Sequence, residues 1–500
     1  MPLSPFRLRI LVAALLAVSF LGALDHTVVS TSLATVAGEL GALEHMSWVV
    51  VGYTLASTVL LPVIGRLGDR LGPRRVFRAS LIAFVLASLA CGFAGDMGLL
   101  VGARVMQGIS SAGLQLMSQT ILASVTTPRQ RPRYLGIVGA AFPIAILIGP
   151  VLGGLITDYW GWPWVFWINA PIGAVAFAFS LIAIPHIGPA ERRRIDLPGA
   201  VVFAGAMVSL VLAVTWISDP AAALPALAAF MVAAVLGVVF FLIQFRVSEP
   251  LVSVRLFANR TIASGTALSA IIGIGLFSIT AYLPTYFQMA YRTSATVSGL
   301  VPIATVFGML VSNLVTGTWA SRTGRYRGFP VFGTALAAAG LLTMALLPIG
   351  LALWVPMVVM AAVGVGTGAF MNLIIAVVQS AAPRSEIGAV TATINLVRQV
   401  GSTLATAIIG GVIGSSVAAG LPSSLDPQTL TPELVRDAPA PVQAEVAALY
   451  GEVLAPIFVA LAVVYALGIV AALLMPPGRL SNDTASIPVA EPVLSRKETP

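Results

Sequence analysis

The sequence predicts an all-α polytopic membrane protein with two pseudo-symmetric six-helix bundles and two extra linker helices, fourteen transmembrane helices in all. Composition, long apolar runs and an internal repeat predict this fold class. Of the 500 residues, 58% are hydrophobic and 9% are charged, whereas soluble proteins carry about a quarter charged residues. The mean hydropathy is +0.98. So little polar surface cannot keep a chain of this length dispersed in water, which excludes a soluble enzyme or binding module.

Fourteen apolar runs are long enough to cross a bilayer, which takes about 20 mostly apolar residues. Runs of this length are helices, because only helices and closed barrels satisfy the backbone in lipid. The predicted helices cover residues 8–36, 45–67, 76–95, 98–123, 133–157, 164–184, 197–217, 224–245, 261–284, 294–319, 329–348, 353–379, 386–414 and 453–475.

The basic residues predict the orientation. With the N-terminus inside, 23 of the 27 basic residues fall in or beside cytoplasmic segments, as insertion topology favours. The net charge of +8 therefore reflects topology, and no nucleic-acid partner is expected. Arg7 and Arg9 precede an apolar run that is too long for a signal peptide and is interpreted as a retained first span. We expect a multi-pass protein of the cell (plasma or inner) membrane with both termini cytoplasmic.

An internal repeat divides the chain. GRLGDRLGPRR begins at Gly65 and GTWASRTGRYR begins at Gly317, each after the second helix of a predicted bundle. The predicted organisation is an N-terminal bundle (1–186), a linker with two extra helices (187–255), a C-terminal bundle (256–475) and a disordered cytoplasmic tail (476–500). Two related halves around a central path are typical of transporters. In the outer loop 415–452, the segment QAEVAALYGEVLAP has helical spacing and is expected to lie along the membrane surface.

The loop after the second helix carries the most specific signal. Glycines permit a tight turn with close backbone approach, and an aspartate can accept hydrogen bonds at a helix N-terminus, where the dipole favours an anion. A basic loop that only fixes topology would explain the arginines but not the glycines and the acid at this spacing. The predicted conformational switch consists of Gly65, Asp69, Arg70, Gly72 and Arg75.

This loop resembles the signature between helices 2 and 3 of the major facilitator superfamily. Four further segments resemble motifs of that superfamily: Leu24-Asp25-His-Thr27-Val28-Val29, Arg104-Val-Met-Gln107-Gly108, Gly149-Pro150-Val-Leu-Gly153-Gly154, and Trp162-Pro-Trp164-Val-Phe166-Trp-Ile168-Asn169-Ala-Pro171-Ile172-Gly173. The first and last of these, with fourteen helices, are similar to the drug:proton antiporters of the EmrB/QacA type. The resemblance implies a major facilitator fold, proton-coupled multidrug efflux and antibiotic resistance. Ser321 replaces the acid in the second loop copy, so we expect the gating contact to be asymmetric.

The fifth-helix motif predicts close helix packing. Gly149, Gly153 and Gly154 offer a smooth face to a neighbouring helix, and Pro150 can kink the axis. The resemblance implies a hinge and seal that favours exchange. The alternative is ordinary small-residue packing, which glycines serve in many membrane helices.

Asp25 is the acid predicted to lie deep in the membrane, and Arg104 lies at a similar depth. A charge at bilayer centre costs about 2.5–3.5 kcal/mol on insertion scales, so such a residue is expected to have a function and a partner. We predict that Asp25 carries the coupled proton, with Arg104 as its partner and His26 as a further titratable group. A purely structural Asp25, and a rim or packing role for His26, are the alternatives.

Substrate-binding candidates are the apolar and polar side chains of later helices: Phe277, Tyr282, Phe370, Met371, Asn372 and Arg398. Arg398 resembles a second-half echo of the Arg104 cluster, and most of the aromatic residues have packing as their alternative. Expected partners are small drug-like substrates, protons and membrane lipids, with the chain acting as a monomer. One cysteine and scattered histidines predict no metal or other cofactor, and no nucleophile–base arrangement indicates an enzyme.

The predicted function is proton-coupled export of lipophilic or cationic drugs by alternating access. With one membrane acid, monovalent cations or neutral compounds are favoured over dications. The alternative is export of one endogenous metabolite or lipid.

Overall fold

Long helices form most of the described chain. The computed structural model describes residues 4–40, 46–185, 196–216, 222–247, 249–252, 254–422, 425 and 430–482. Without water in the hydrocarbon layer, a membrane-spanning segment must satisfy its own backbone polar groups, and a helix does so. The helices are α1 (Pro5–Glu39), α2 (Met46–Leu71), α3 (Pro73–Gly92), α4 (Met97–Val125), α5 (Arg131–Trp160), α6 (Pro163–Ala183), α7 (Leu197–Trp216), α8 (Ala223–Arg246), α9 (Arg260–Ala290), α10 (Leu300–Thr323), α11 (Gly328–Leu346), α12 (Trp354–Ala381), α13 (Ile387–Gly420) and α14 (Ala440–Leu474).

The predicted all-α membrane fold is confirmed. Among the described residues, 13 helices are long and apolar enough to cross a membrane. The remaining long helix, α4, has 29 residues and a length of about 43 Å, but it carries Arg104 and Gln107 among its buried side chains. It packs between α2 and α3. The count of fourteen spans stays a prediction.

The same helix pairs pack together in both halves of the chain. In the first half α2 packs on α4, α3 on α4, and α1 on α6; in the second half α10 packs on α12, α11 on α12, and α9 on α14. This repetition agrees with the two sequence copies that follow α2 and α10. The halves meet mainly where α2 packs on α13 and where α5 packs on α10 and α12.

The two linker helices form a hairpin at the side of α2. The rings of Phe203 on α7 and Phe240 on α8 have centroids 5.1 Å apart. Asp196 starts α7 by accepting hydrogen bonds from the Gly199 amide and the Gln244 side chain, both at 2.8 Å. Most α8 side chains are exposed, as expected for a helix bordered by lipid. The predicted boundary loop 186–195 lies outside the described residues.

Three membrane helices contain local breaks. A single turn residue interrupts α5 at Ala140 and α6 at Ile168. In α9 the residues Gly273–Phe277 form a π-helical turn, a rare feature that often marks functional sites. The apolar pattern of the sequence does not predict any of these breaks.

Two predictions about the second half were wrong. The segment beginning at Gln443 does not lie along the surface, because Ala440–Leu474 is one continuous helix whose first turns project beyond the apolar run. Residues 476–482, predicted to begin a disordered tail, are hydrogen-bonded instead: the Leu480 amide donates to the Gly324 carbonyl at 2.8 Å. The rest of that tail, 483–500, lies outside the described residues.

One end of the bundle holds the two halves together. We call this end the base; it comprises residues 66–75, 126–133, 321–327, 380–389 and 476–482. There, Arg129 donates to the backbone carbonyls of Ser321, at 3.0 Å, and Arg322. Arg131 donates to Ser380 Oγ at 3.3 Å. These contacts join the start of α5 to the second half.

Candidate functional site

Asp25 lies at the centre of a buried hydrogen-bond network. One carboxylate oxygen accepts from Arg104 Nη1 at 2.6 Å, and the other accepts from Gln107 Nε2 at 2.8 Å and Asn169 Nδ2 at 3.0 Å. Asp25 and Arg104 are each only 1% exposed. Charge-assisted bonds of this length are the strong ones, so the charge on each residue is compensated inside the helices α1, α4 and α6.

Arg104 is further fixed by α2. Its Nε donates to the Val49 carbonyl at 3.2 Å, and its guanidinium carbon lies 4.3 Å from the centroid of the Tyr53 ring. A Cβ on Gly108 would lie 2.2 Å from the Tyr53 carbonyl oxygen, so only glycine permits this approach of α4 to α2. The R-x-x-Q-G pattern thus supplies a cation, an amide and the close helix contact that lets both reach Asp25.

Sequence reasoning missed the second layer of this network. Ser88 on α3 accepts from Gln107 at 3.1 Å and from Asn169 at 2.9 Å, and it donates to the Phe166 carbonyl at 2.8 Å. Gln107 and Asn169 stand inside the quoted motifs, and their amides could have been matched to the acid. Nothing in the sequence marks Ser88, because serines are common on membrane helices.

A cavity of about 400 Å³ lies between the two halves. It is lined from α1, α2, α4 and α5 on one side and from α9, α12 and α13 on the other. His26 and Tyr53 belong to its lining, and the two rings meet edge-to-face with centroids 6.1 Å apart. Whereas Asp25 is buried, the next residue, His26, is exposed, as expected for side chains about 100° apart on a helix.

The structure separates the six predicted substrate residues into two groups. Phe277, Met371, Asn372 and Arg398 line the cavity. Phe370 and Tyr282 are not among the residues that line it, and their role in substrate binding stays a prediction. Phe370 is fully buried against Gly333 of α11, because it points about 100° away from Met371. Tyr282 lies in a two-residue turn of α9 at 281–282, and its hydroxyl donates to the Thr406 carbonyl at 2.7 Å.

Arg398 is held at the cavity wall by contacts from both halves. Its Nη2 donates to Asn395 Oδ1 at 2.6 Å, and Asn395 Nδ2 donates to Gln119 Oε1 of α4 at 2.8 Å. A Cβ on Gly273 would lie 2.1 Å from the Arg398 carbonyl oxygen, so the π-turn of α9 packs directly on this residue.

The fifth-helix motif packs α5 on α1 next to Asp25. A Cβ on Gly149 would lie 2.0 Å from Thr27 Oγ1, and one on Gly153 would lie 2.2 Å from Thr31 Oγ1. Thr27 also donates to the Ala145 carbonyl at 3.2 Å. Gly154 has open space at its Cβ position and does not belong to this contact face. Pro150 lies inside the helix and is exposed.

Asp69 binds the N-terminus of α13 across the two halves. Its two carboxylate oxygens accept from the Gly388 and Ala389 amides, each at 3.2 Å. A Cβ on Gly65 would lie 2.8 Å from Ala392 Cβ, so the glycine allows the helices to approach. The dipole and free amides of a helix start favour an anion there.

The rest of this loop turns the chain and faces outward. Gly72 has φ +88°, a backbone conformation that favours glycine, and it precedes α3. Arg70 and Arg75 are exposed. In the second copy, Ser321 supplies only a backbone carbonyl to Arg129, so the acid-to-helix contact at the base is asymmetric in the described chain.

Metal chemistry has no support in the described residues: they contain no group of three or more His, Cys, Asp or Glu side chains that could hold an ion. His45 and His186 lie outside the described residues. The single cysteine, Cys91, is buried with its Sγ 3.5 Å from Gln107 Oε1.

Comparisons with known proteins identify the family. Residues 15–406 match the Major Facilitator Superfamily. The chain is 31% identical over 485 residues to the uncharacterized MFS-type transporter Rv1877 of Mycobacterium tuberculosis, covering 95% of this chain and 70% of the relative. It is 30% identical over 414 residues to the multidrug transporter protein MdtP of Bacillus subtilis, covering 81% and 75%.

A solved structure supports the same fold. The human organic anion transporter MFSD10 (TETRAN) superposes with a TM-score of 0.62 at 15% identity, covering 94% of this chain and 100% of that one. At this identity the likeness shows the fold alone. The family consists of membrane transporters and not enzymes. With the repeated helix packing, the central cavity and these matches, the chain belongs to the major facilitator superfamily.

Proposed function

We propose that the protein exports lipophilic compounds in exchange for protons by alternating access, as a fourteen-helix drug:proton antiporter of the EmrB/QacA type. The single observation that carries the proposal is the buried Asp25 network beside the central cavity. The sequence predicts both lipophilic and cationic cargo. The cavity supports lipophilic rather than cationic cargo, because no carboxylate occurs among its described lining residues.

The network suits a group that gains and loses a proton. A buried carboxylate is costly unless it is paired and hydrogen-bonded. Its three donors come from Arg104 and Gln107 on α4 and Asn169 on α6. A small displacement of α1 against either helix would remove a donor and make protonation more favourable. Conformation and proton binding are then linked, as exchange requires.

Residues of the cavity wall contact the Asp25 network, so bound cargo can affect it. Tyr53 contacts His26 on one side and the Arg104 guanidinium on the other. Thr27, two residues after Asp25, packs on Gly149 of α5. A compound that moves His26, Tyr53 or α5 therefore acts on the surroundings of Asp25 without touching the acid.

The base contacts support a two-state gate. The base is closed by Asp69 of α2, which binds the start of α13, and by the contacts of Arg129 and Arg131. Opening the base would break them and expose the cavity from that side. If both termini are cytoplasmic, the base is the cytoplasmic gate, and the protein acts in the cell membrane as a monomer surrounded by lipid.

The relatives agree with this cargo class. MdtP, 30% identical over 414 residues, is named a multidrug transporter. We extend that activity to this chain as part of the proposal.

The test is uphill export driven by a pH gradient in proteoliposomes. Purified wild type, Asp25→Asn and the control Asp158→Asn are compared, since Asp158 is an exposed acid on α5. Wild type and Asp158→Asn are expected to accumulate a lipophilic dye against its gradient, and Asp25→Asn to lose accumulation. Wild-type accumulation by Asp25→Asn would refute the proton-carrying role. A panel of dyes, antibiotics and amino acids separates broad export from export of one endogenous metabolite or lipid.

A further inference from the structure

The central cavity has a single formal charge in its described lining, and that charge is positive. We propose that Arg398 is the substrate-recognition group, and that the cavity takes uncharged amphipathic compounds with a hydrogen-bond acceptor while it excludes permanent cations. This inference rests on the proposed export function and names the substrate class of its cavity.

The donor capacity of Arg398 is only partly used. A guanidinium has five N–H donors, and within the described chain Arg398 makes one hydrogen bond, from Nη2 to Asn395 Oδ1. The side chain is more than nine-tenths buried and lines the cavity. No carboxylate of the described chain forms an ion pair with it; Asp25 is paired with Arg104. A buried cation in this state favours an acceptor supplied from the cavity.

The side chain is also held in place before cargo arrives. Asn395 accepts a hydrogen bond from the guanidinium and donates one to Gln119 of the other half. Gly273 of the π-turn packs on the Arg398 backbone. A fixed donor loses little conformational freedom on binding, which strengthens recognition. Because Gln119 lies across the cavity boundary, the position of Arg398 also depends on how the halves are arranged.

Apolar side chains complete the site. Phe142 of α5 and Phe277 of α9 meet edge-to-face at 6.0 Å and line the cavity together with Met371. Aromatic rings and a flexible thioether suit flat, apolar ligands of varied shape. The cavity thus pairs an adaptable apolar wall with one fixed donor.

Cations lack a counter-charge in this cavity. The Asp25 carboxylate is 1% exposed and bound to Arg104, with the Tyr53 ring packed on that arginine. A permanent cation in the cavity would therefore be repelled by Arg398, with no carboxylate to offset that repulsion. The electrostatic repulsion between two positive charges at contact distance is larger inside a protein than in bulk water.

Anions are disfavoured by the direction of coupling. Protonation of Asp25 leaves the Arg104 charge unneutralised, so an anion would bind better to the protonated protein. Linkage then requires the anion to promote proton binding, which opposes exchange. A neutral acceptor gains the Arg398 hydrogen bond without this penalty.

Three dyes with a closely related fused-ring skeleton test the proposal on the wild type. Nile red is neutral and carries a ring carbonyl, Nile blue carries a cationic iminium at the same position, and resorufin is an anion. Binding is measured by equilibrium dialysis with the full chain in nanodiscs, after subtraction of empty nanodiscs. We expect Nile red to bind at least about 10-fold more tightly than either charged dye. Equal or tighter binding of Nile blue or of resorufin would overturn the proposal.

Variants identify the donor. Arg398→Met is expected to weaken Nile red binding about 10-fold and to shift its bound emission to the blue, because the carbonyl loses its hydrogen bond. Arg398→Lys should retain part of both properties, and the exposed Arg260→Gln should match wild type. Unchanged affinity and emission in Arg398→Met would refute the role of Arg398. If that variant does not fold, Arg398→Lys and the wild-type dye series still decide.

These measurements use no proton gradient. A protein that binds Nile red through Arg398 but does not exchange protons would refute the antiport proposal alone, and the reverse result would refute this inference alone.

Discussion

Asp69→Asn is predicted to weaken closure of the base. Asp69 places a charge on two amides at the start of α13, each at 3.2 Å. Asparagine removes the charge and keeps one acceptor oxygen. Loss of one of the two hydrogen bonds costs about 0.5–1.5 kcal/mol, and a charge at a helix start contributes about 0.3–1 kcal/mol. The sum, about 1–2 kcal/mol, lowers the ratio of base-closed to base-open protein about 5- to 30-fold.

Distances between spin labels across the base measure this ratio. Nitroxides are attached to Arg75→Cys in the first half and Arg322→Cys in the second half. Both positions are exposed and can therefore be labelled. The buried Cys91 is not expected to react. Double electron–electron resonance should show a larger population of long label-to-label distances in Asp69→Asn than in wild type. Asp158→Asn, which removes an exposed acid elsewhere, is the control and should match wild type. An unchanged distance distribution would refute the assignment of Asp69 as a latch.

Three further predictions follow from the described contacts. Gly149→Ala should destabilise the protein by about 1–3 kcal/mol through overpacking, because its Cβ would meet Thr27 Oγ1 at 2.0 Å, whereas Gly154→Ala should be neutral because that position is open; thermal unfolding in detergent checks both. Gln107→Leu should reduce gradient-driven export at least about 10-fold, since it removes hydrogen bonds to Asp25 and Arg104 and a hydrogen bond to a charged group contributes about 1.5–3 kcal/mol; equal export by Gln107→Leu and wild type would contradict the network. Export of a neutral dye should move one net charge per proton, so 100 mV, inside negative, should replace about 1.7 pH units of gradient; potential-insensitive export of this dye in proteoliposomes would contradict its exchange for a proton.

The sequence predicted the fold because membrane spans depend on apolar length, which can be read along the chain. It also indicated that Asp25 and Arg104 lie at a similar depth and that Asp69 can accept hydrogen bonds at a helix N-terminus, since a charge in lipid demands a partner and an aspartate beside glycines suits a helix start. Helix ends were harder to predict. The helix α14 begins at Ala440, well before its apolar run, and hydropathy could not predict this start because it indicates the part of a helix that lies in the bilayer and not the whole helix.

The cavity was only partly predictable. Phe370 and Met371 are adjacent in sequence, yet only Met371 lines the cavity, and the choice depends on helix rotation. Residues 281–282 form a turn within α9, and from there the Tyr282 hydroxyl donates to the Thr406 carbonyl. Ser88 could not be identified either, because its role arises from convergence of amides on α4 and α6 that no local pattern records.

Substrate-induced proton release reports whether Asp25 carries the exchanged proton. Purified wild type and Asp25→Asn, in weakly buffered solution with a pH indicator, receive Nile red at saturating concentration. If cargo binding and protonation of Asp25 oppose each other, wild type releases protons and Asp25→Asn releases none. Proton release of the same size from Asp25→Asn, or no release from a wild type that binds the dye, would contradict the account.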